Sequence, residues 1–307
     1  MAHRHHLTPA TLHALEATFD DLATRYPVDP PQALLVRVRS QAGHVHRLLG
    51  ARMTLAEHRR LLVVGGWLQL LGATLHVDLG QEHAAVARLR AAEALGREVG
   101  HPEITAWCHE TGAWQLLVRG EYERARELSR TARAFAPVGS SVAIQAAAQE
   151  GRASARLRDA AATYAAIQRV HRLAGALEPR KGLEHHYQYD PGKSLSYTAT
   201  TLAWLGDPAA ESYAREVIAL LGPGDDVRRW PRRVATAHLD LALTLLGGDR
   251  LDEACAAAQQ AVLSGRIVPS NHWRALEVVR AVEARRLPEA PGLREAYQAL
   301  HPAAGLR

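Results

Sequence analysis

The sequence has very little of several residue types that mark particular protein classes. Its 307 residues include only two cysteines, two phenylalanines and two lysines. Cys108 and Cys255 stand far apart and neither belongs to a metal-binding spacing, which argues against a disulfide framework and a zinc site. We therefore expect two buried thiols in a reducing, cytoplasmic protein, and we predict neither a cofactor nor a metal.

The sequence also lacks a convincing membrane or export segment. Its N-terminal residues contain no apolar stretch of the kind that a signal peptide needs. Residues 61–77, LLVVGGWLQLLGATLHV, carry no formal charge, but they are few for a membrane span and include Gln69, Thr74 and His76. We predict a buried helix there, and no membrane partner.

Signals for β-strands are almost missing, and helical segments separated by short turns fill the chain. Similar turns occur at Gly80, Gly120, Gly206 and Gly248, with a degenerate copy at Arg158-Asp159. The intervals between these turns are 40, 38, 48 and 42 residues. Regular intervals of this length are typical of helical-repeat proteins.

Small residues recur at fixed distances from these turns. One small residue lies seven positions before each turn, and another lies about five positions after it. The last repeat fits if its turn is one residue longer, and in the fourth repeat the second small residue comes one position early. Two antiparallel helices approach closely when small residues face each other, so this pattern predicts helical hairpins. The two sets are Ala73, Ala113, Gly151, Ala199 and Ala242, and Ala85, Ala125, Thr163, Ala210 and Ala254.

The pattern resembles the tetratricopeptide repeat, most closely in residues 107–137, where Ala113, Gly120, Tyr122 and Ala125 match the motif. The resemblance implies an all-α fold, a right-handed superhelix of about five to seven helical hairpins. We expect a single domain at 1–307, with N-terminal capping helices at 1–52, repeats at 53–264 and a C-terminal capping hairpin at 265–307.

The C-terminal half is similar to the sensor region of actinobacterial regulators of the Xre-type helix-turn-helix class. The stretches that carry this resemblance are DPGKSLSYTATTLAWLGDPAAESYAREVI at 190–218, RRVATAHLDLALTLL at 232–246 and GRIVPSNHWRALEVV at 265–279. The resemblance implies a ligand sensor or interaction module in transcriptional or developmental regulation. Only about eight residues precede the first predicted helix, so we expect no DNA-reading helix-turn-helix and no direct sequence-specific DNA binding.

Two groups of residues are candidates for ligand binding. In such a superhelix the first helices line the concave surface, where rings with a polar tip suit the capture of a ligand. An insertion in the longest interval predicts a second contact region, because solenoid insertions usually form loops on one face. The first group is His76, Trp107, His109, Trp114, Tyr197, Trp204 and His238, and the second is His185, His186, Tyr187 and Tyr189.

Catalytic motifs are weak. Residues 192–194, Gly-Lys-Ser, end like a phosphate-binding loop, but Tyr187 stands where that motif needs glycine and no strand precedes it, so we predict the start of a helix. No nucleophile–base set is recognisable. An enzyme is therefore not the favoured prediction.

The leading hypothesis is a non-catalytic module that captures a peptide, a small molecule or a protein segment. The alternative is an enzyme or auxiliary factor in a biosynthetic pathway that uses the inner groove and the 184–190 loop as a pocket. DNA binding through arginine-rich faces ranks third. A homodimer formed through the alanine-rich faces at 146–148 and 256–258 is left open.

Overall fold

The computed structural model describes residues 7–178, 184–222, 231–264 and 266–300, and over these ranges it is all-helical, without a β-strand. Helices that follow each other in the chain pack against each other. A short 3₁₀ helix, Pro269–Asn271, precedes the thirteenth α-helix. The α-helices are α1 Pro9–Arg25, α2 Pro31–Leu48, α3 Leu55–Asp78, α4 Glu82–Glu98, α5 Pro102–Val118, α6 Tyr122–Phe135, α7 Ser141–Arg156, α8 Ala160–Ala174, α9 Gly192–Leu205, α10 Ala210–Leu221, α11 Pro231–Gly247, α12 Leu251–Leu263, α13 His272–Ala284 and α14 Ala290–Ala299.

Several helix starts follow from local sequence chemistry. Thr8 caps α1 by accepting a hydrogen bond from the Thr11 N–H at 3.1 Å, and Pro9 occupies the first helical position. Thr54 and Glu57 form a reciprocal capping box at the start of α3. The predicted helix start at residues 192–194 is confirmed as the first turn of α9.

The uncharged stretch at 61–77 lies in α3, as predicted. By length and composition α3 is the one helix in the described ranges that could cross a membrane. However, 78% of its most apolar window is buried inside the protein. The apolar character of α3 is thus satisfied by the other helices that pack against it.

The repeat turns share one residue in the left-handed backbone region. This residue is Gly80 (φ 65°), Gly120 (φ 80°) and Gly206 (φ 84°) in three turns, and Arg158 (φ 59°) in the degenerate one. Glycine adopts this conformation without steric cost, which explains its recurrence there. In the fifth turn the left-handed residue is Asp249 (φ 59°), not Gly248.

The left-handed conformation of Asp249 explains why the small residues of the last repeat are offset by one residue from Gly248. Counted from Asp249, Ala242 lies seven positions before the turn and Ala254 lies five positions after it, as in the earlier repeats. All the small residues of the two predicted sets are buried. At Gly151 a Cβ atom would come within 3.1 Å of the Ala166 Cβ, so α7 and α8 depend on that missing methyl group.

The described residues form two compact units. Unit 1 contains residues 7–149 and 184–189, and unit 2 contains residues 150–178 and 190–300, apart from the undescribed residues within that range. The boundary between the units falls inside α7. Residues 184–189 belong to unit 1, whereas the described residues at 150–178 and from 190 onward belong to unit 2. The assignment of the chain to one domain stays a prediction.

The two units have different cores. The core of unit 1 consists largely of leucines and aromatic rings, including Phe19, Trp107 and Tyr187. The core of unit 2 is rich in alanine and valine and also contains Leu239 and Cys255. Both cysteines are buried, as predicted, and burial raises the pKa of the Cys255 thiol to about 11. Ala146, Ala147 and Ala148 are buried within the chain.

Candidate functional site

The first helices of the hairpins carry most of the buried polar side chains. These helices are α3, α5, α7, α9, α11 and α13, whereas the described second helices bury only Ser129 and Thr163 as polar residues. Burying polar groups costs free energy unless they are hydrogen-bonded, so packing alone does not explain this distribution. The first-helix set is Thr74, His76, Asp78, Thr105, Glu110, Thr111, Gln115, Gln145, Gln149, Glu150, Ser154, Lys193, Thr198, Thr200, Thr201, Asp240 and Arg274.

Four predicted ligand-binding residues lie on first helices of unit 1. His76 is on α3, whereas Trp107, His109 and Trp114 are on α5. Trp107 is only 2% exposed, and His109 and Trp114 are half-buried. Burial lowers the pKa of His76 and of His109, which keeps both rings neutral near pH 7.

Residues 184–189, which we call the return segment, pack into the interior of unit 1. Tyr187 is 3% exposed and lies among three rings from α1, α3 and α5. Its ring centroid is 6.0 Å from that of Phe19, 5.1 Å from that of Trp67 and 5.1 Å from that of Trp107. The insertion therefore contributes a core residue here instead of an exposed loop.

The hydroxyl group of Tyr187 also has a defined partner. It lies 3.1 Å from Thr74 Oγ1, and Thr74 Oγ1 in turn lies 3.1 Å from the carbonyl oxygen of Leu70, to which it donates. Because a threonine hydroxyl has one hydrogen, the Tyr187 O–H must be the donor to Thr74. Burial raises the pKa of Tyr187 well above its ordinary value.

Backbone bonds hold both ends of the return segment. The His186 N–H donates to the carbonyl oxygen of Ala23 at 3.1 Å, and the Tyr189 N–H donates to Ser141 Oγ at 2.8 Å. The His186 ring lies 4.1 Å from the Tyr26 ring, and Tyr189 is 3% exposed. Two predicted contact residues, Tyr187 and Tyr189, are thus buried in unit 1.

His185 borders a cleft beside the return segment. Its Nε2 atom lies 3.5 Å from Asp20 Oδ1, and its side chain is 10% exposed. The cleft has a volume of about 260 Å³. Its lining residues are Glu16, Phe19, Asp20, Val63, Val64, Trp67, Glu103, His185, Tyr187 and Gln188.

Unit 2 contains the remaining predicted residues, Tyr197 and Trp204 on α9 and His238 on α11. Trp204 is 4% exposed, whereas Tyr197 and His238 are half-buried. Burial lowers the pKa of His238. Tyr197 and Trp204 lie against arginine side chains that we did not single out from the sequence.

A buried ion pair lies at the centre of this region. Asp240 on α11 and Arg274 on α13 are 1% and 4% exposed, and an Arg274 Nη2 donates to Asp240 Oδ1. The Thr200 hydroxyl donates to the other carboxylate oxygen at 2.6 Å. Burial raises the pKa of Asp240, although Arg274 and the Thr200 hydrogen bond oppose this effect.

A second arginine adds a bidentate pair and several ring contacts. Arg156 on α7 donates two hydrogen bonds to the Glu277 carboxylate, at 2.8 and 2.7 Å. The Arg156 guanidinium carbon also lies 4.2 Å from the Trp204 ring centroid and 5.1 Å from that of Trp273. Arg274 lies 4.9 Å from the same Trp204 ring. Guanidinium groups are attracted to aromatic faces at these distances.

Arg152 extends the same arrangement by one helical turn of α7. Its guanidinium carbon lies 4.4 Å from the Tyr197 ring centroid. We call Arg152, Arg156, Tyr197, Trp204, Asp240, Trp273, Arg274 and Glu277 the arginine–indole cluster. Charged residues inside apolar runs, such as Asp240 in HLDLALTLL, were the sequence signal that could have identified it.

Comparison with known proteins gives no further assignment. No protein-family model matches the chain, and no curated protein matches it at a significant level. Within the described ranges, no group of three or more histidine, cysteine, aspartate or glutamate side chains is placed to hold a metal ion. Functional inference therefore rests on the geometry of the two units.

Proposed function

We propose that this protein is a non-catalytic, tetratricopeptide-like binding module that captures its ligand on the first helices of unit 2. In this proposal the hairpins form a right-handed superhelix whose first helices face the ligand. The module serves transcriptional or developmental regulation, as the resemblance to the sensor regions of Xre-type regulators suggests. The ligand is a small molecule, a peptide or a segment of a protein partner.

One observation supports this proposal above all others. Three first helices of unit 2, α9, α11 and α13, and the part of α7 that belongs to unit 2 direct aromatic and charged side chains into the same cluster. Two rings with polar tips, Trp204 and Trp273, lie 5.6 Å apart in it. Aromatic and arginine side chains of this kind supply most of the binding energy in many protein interfaces.

Unit 1 is the weaker candidate for ligand capture. Its own return segment already covers first-helix residues, since Tyr187 contacts Trp67 on α3 and Trp107 on α5. A ligand at those positions would have to displace a buried tyrosine. We therefore assign the capture of the ligand to unit 2.

Native mass spectrometry on protein captured from its own host tests this proposal. We expect a discrete mass that is released on denaturation, either a small molecule or peptide or a co-captured protein. The Trp204→Phe variant keeps an aromatic ring but changes its size and removes the indole N–H, and it should retain much less of that mass. Truncation of Trp204 to alanine is less informative, because removing so buried a ring would also destabilise the unit.

Trp114→Phe is the matched control, because Trp114 is a half-buried first-helix tryptophan of unit 1. It should retain the released mass at the level of the unmodified protein. Protein that carries no ligand under any growth condition would contradict the proposal. Equal loss in both variants would contradict the choice of unit 2.

A further inference from the structure

The cleft beside the return segment in unit 1 combines an aromatic wall with acidic side chains. It is bordered by α1, α3, α5 and the return segment, and its volume of about 260 Å³ suits a small chemical group. Phe19, Trp67 and Tyr187 supply three rings to its lining. Because Tyr187 forms part of the wall, a group can occupy the cleft while that ring stays in the core.

The charged groups that line this cleft are mainly acidic. Glu16, Asp20 and Glu103 contribute three carboxylates, whereas among the described residues neither an arginine nor a lysine lines the cleft. Glu16 is neutralised from outside the lining, because Arg60 donates two hydrogen bonds to it at 2.9 and 2.8 Å. Asp20 Oδ1 lies 3.5 Å from His185 Nε2, and the Asp20 side chain is 66% exposed. The charge of the cleft therefore depends most on the third carboxylate, that of Glu103.

Glu103 is half-buried in the first turn of α5, and its side chain forms no hydrogen bond or ion pair with any residue that the structure describes. Nearby His101 is neutral near pH 7, because burial lowers its pKa. Arg59 does not line the cleft, and its guanidinium donates to the carbonyl oxygen of Val99 at 2.6 Å. The N-terminus of α5 favours the negative charge of Glu103 without cancelling it. The cleft thus carries a carboxylate that the described side chains leave without a counter-charge.

A metal ion does not match these groups, whereas an organic cation does. Within the described ranges, no three histidine, cysteine, aspartate or glutamate side chains are placed to hold a metal ion. The carboxylates of the cleft share its lining with aromatic rings instead. An organic ammonium group is attracted both to carboxylates and to the faces of such rings, and its alkyl substituents pack against apolar surface.

We infer that this cleft of unit 1 is a binding site for an organic ammonium group. Glu103 and Asp20 supply the negative charge, and Trp67 and Phe19 supply the aromatic contact. The ammonium group belongs either to a free amine or to the lysine side chain of a peptide, since both present the same chemistry to the cleft. The site goes beyond the proposed function, which assigns the capture of the ligand to unit 2.

Titration with choline and with N-acetyl-lysine amide, followed by NMR, tests the inference. The six tryptophans give indole N–H signals in proton–nitrogen spectra, and the Trp67 signal is the one missing from Trp67→Phe. Sodium ions and the uncharged carbon analogue of choline serve as references at constant ionic strength. We expect at least one ammonium compound to shift the Trp67 signal in a saturable manner, and both references to act at least about tenfold more weakly. Tighter binding of choline would indicate a free amine, and tighter binding of the lysine compound a peptide.

Charge-removing variants locate the site. Glu103→Gln keeps the size of the side chain and should weaken binding of the effective compound by about tenfold. Asp20→Asn should have a smaller effect, because Asp20 is largely exposed and already faces His185. Glu123→Gln is the matched control, since Glu123 lies in the first turn of α6 as Glu103 does in that of α5, but outside the cleft. The control changes the net charge equally and should bind as the unmodified protein does.

Three results would overturn the ammonium site. The first is the absence of a saturable shift of the Trp67 signal with either ammonium compound. The second is equal binding of choline and its uncharged analogue, which would show that the cleft recognises apolar surface alone. The third is equal binding by Glu103→Gln and Glu123→Gln. None of these results bears on the capture of a ligand in unit 2, which is tested separately through Trp204.

Discussion

The two units use the same kind of helical hairpin to enclose different interiors. In unit 1 the first helices meet a segment of the same chain, whose Tyr187 packs among Phe19, Trp67 and Trp107. In unit 2 the corresponding helices meet arginine, carboxylate and indole groups that centre on Asp240 and Arg274. The repeat therefore fixes how the helices pack, whereas the first-helix side chains decide what is enclosed.

This contrast has an energetic side. An aromatic core is stabilised by the area that it removes from water, so its contribution is large and independent of charge. A buried ion pair contributes little net stability, because the loss of hydration offsets most of the attraction between the charges. Unit 1 also buries polar first-helix side chains, such as Glu110 and Gln145, so the contrast lies between the aromatic rings of unit 1 and the buried ion pair of unit 2.

The largest expected effect comes from removing the ring of Tyr187. Tyr187→Ala leaves a cavity among three aromatic rings and should lower the free energy of unfolding of unit 1 by about 3–5 kcal/mol. Hydrogen exchange measured by mass spectrometry should show faster exchange in α1, α3 and α5. Tyr164→Ala is the control, since that ring is 43% exposed. Unchanged exchange in Tyr187→Ala would mean that the return segment is not part of the core.

The buried ion pair gives the next largest effect, and it should be confined to unit 2. Asp240→Asn keeps the size of the side chain but leaves the Arg274 charge without its counter-charge, which should cost about 3 kcal/mol. The double variant Asp240→Leu with Arg274→Met removes both charges and should lose less stability than Asp240→Asn. Urea denaturation of the three proteins measures this order. Greater loss in the double variant would show that the pair itself stabilises the fold.

The sequence predicts best those features that depend on residues close to each other in the chain. The hairpins, the buried small residues and the placement of the predicted rings on first helices all follow from spacing within one or two repeats. The last turn was marked at Gly248, with one extra residue allowed, because glycine was taken as the marker of the repeat turns. Asp249 takes that role, since aspartate tolerates the left-handed region better than most residues do.

The features that the sequence did not predict depend on contacts between distant residues. Tyr187 and Thr74 are 113 positions apart, and no local pattern indicates that they meet. Similarly, Arg156 and Glu277 are 121 positions apart, and each resembles the solvated charges that alternate along helices elsewhere in the chain. The sequence pattern therefore predicts the helices that carry the candidate sites but not the partners of their side chains.

Acid should distinguish the units through their buried histidines. Burial lowers the pKa of His76, His101 and His109 in unit 1 and that of His238 in unit 2. Because the folded-state pKa lies below the unfolded value of about 6.5, this stability is complete above pH 6.5 and is lost as the pH falls below it. Hydrogen exchange at pH 7.5 and pH 5, corrected for intrinsic rates, should show a larger loss of protection in unit 1. Equal losses in both units would contradict this expectation, and His109→Gln should reduce the difference.

The smallest expected effect concerns a single hydroxyl group. Tyr187→Phe keeps the ring but removes the hydrogen bond to Thr74, which should cost about 1 kcal/mol. The folded-state pKa of Tyr187 is raised by burial, so its contribution is complete below about pH 10 and is lost as the pH rises above that value. The stability difference between the unmodified protein and the variant should therefore shrink, and then reverse in sign, as the pH increases beyond 10. Urea denaturation at pH 8 and pH 11 measures this difference, and a constant value would show that the hydroxyl group reaches solvent. Such a result would mean that the return segment does not close the interior of unit 1 to water, and the contrast between the two units would fail.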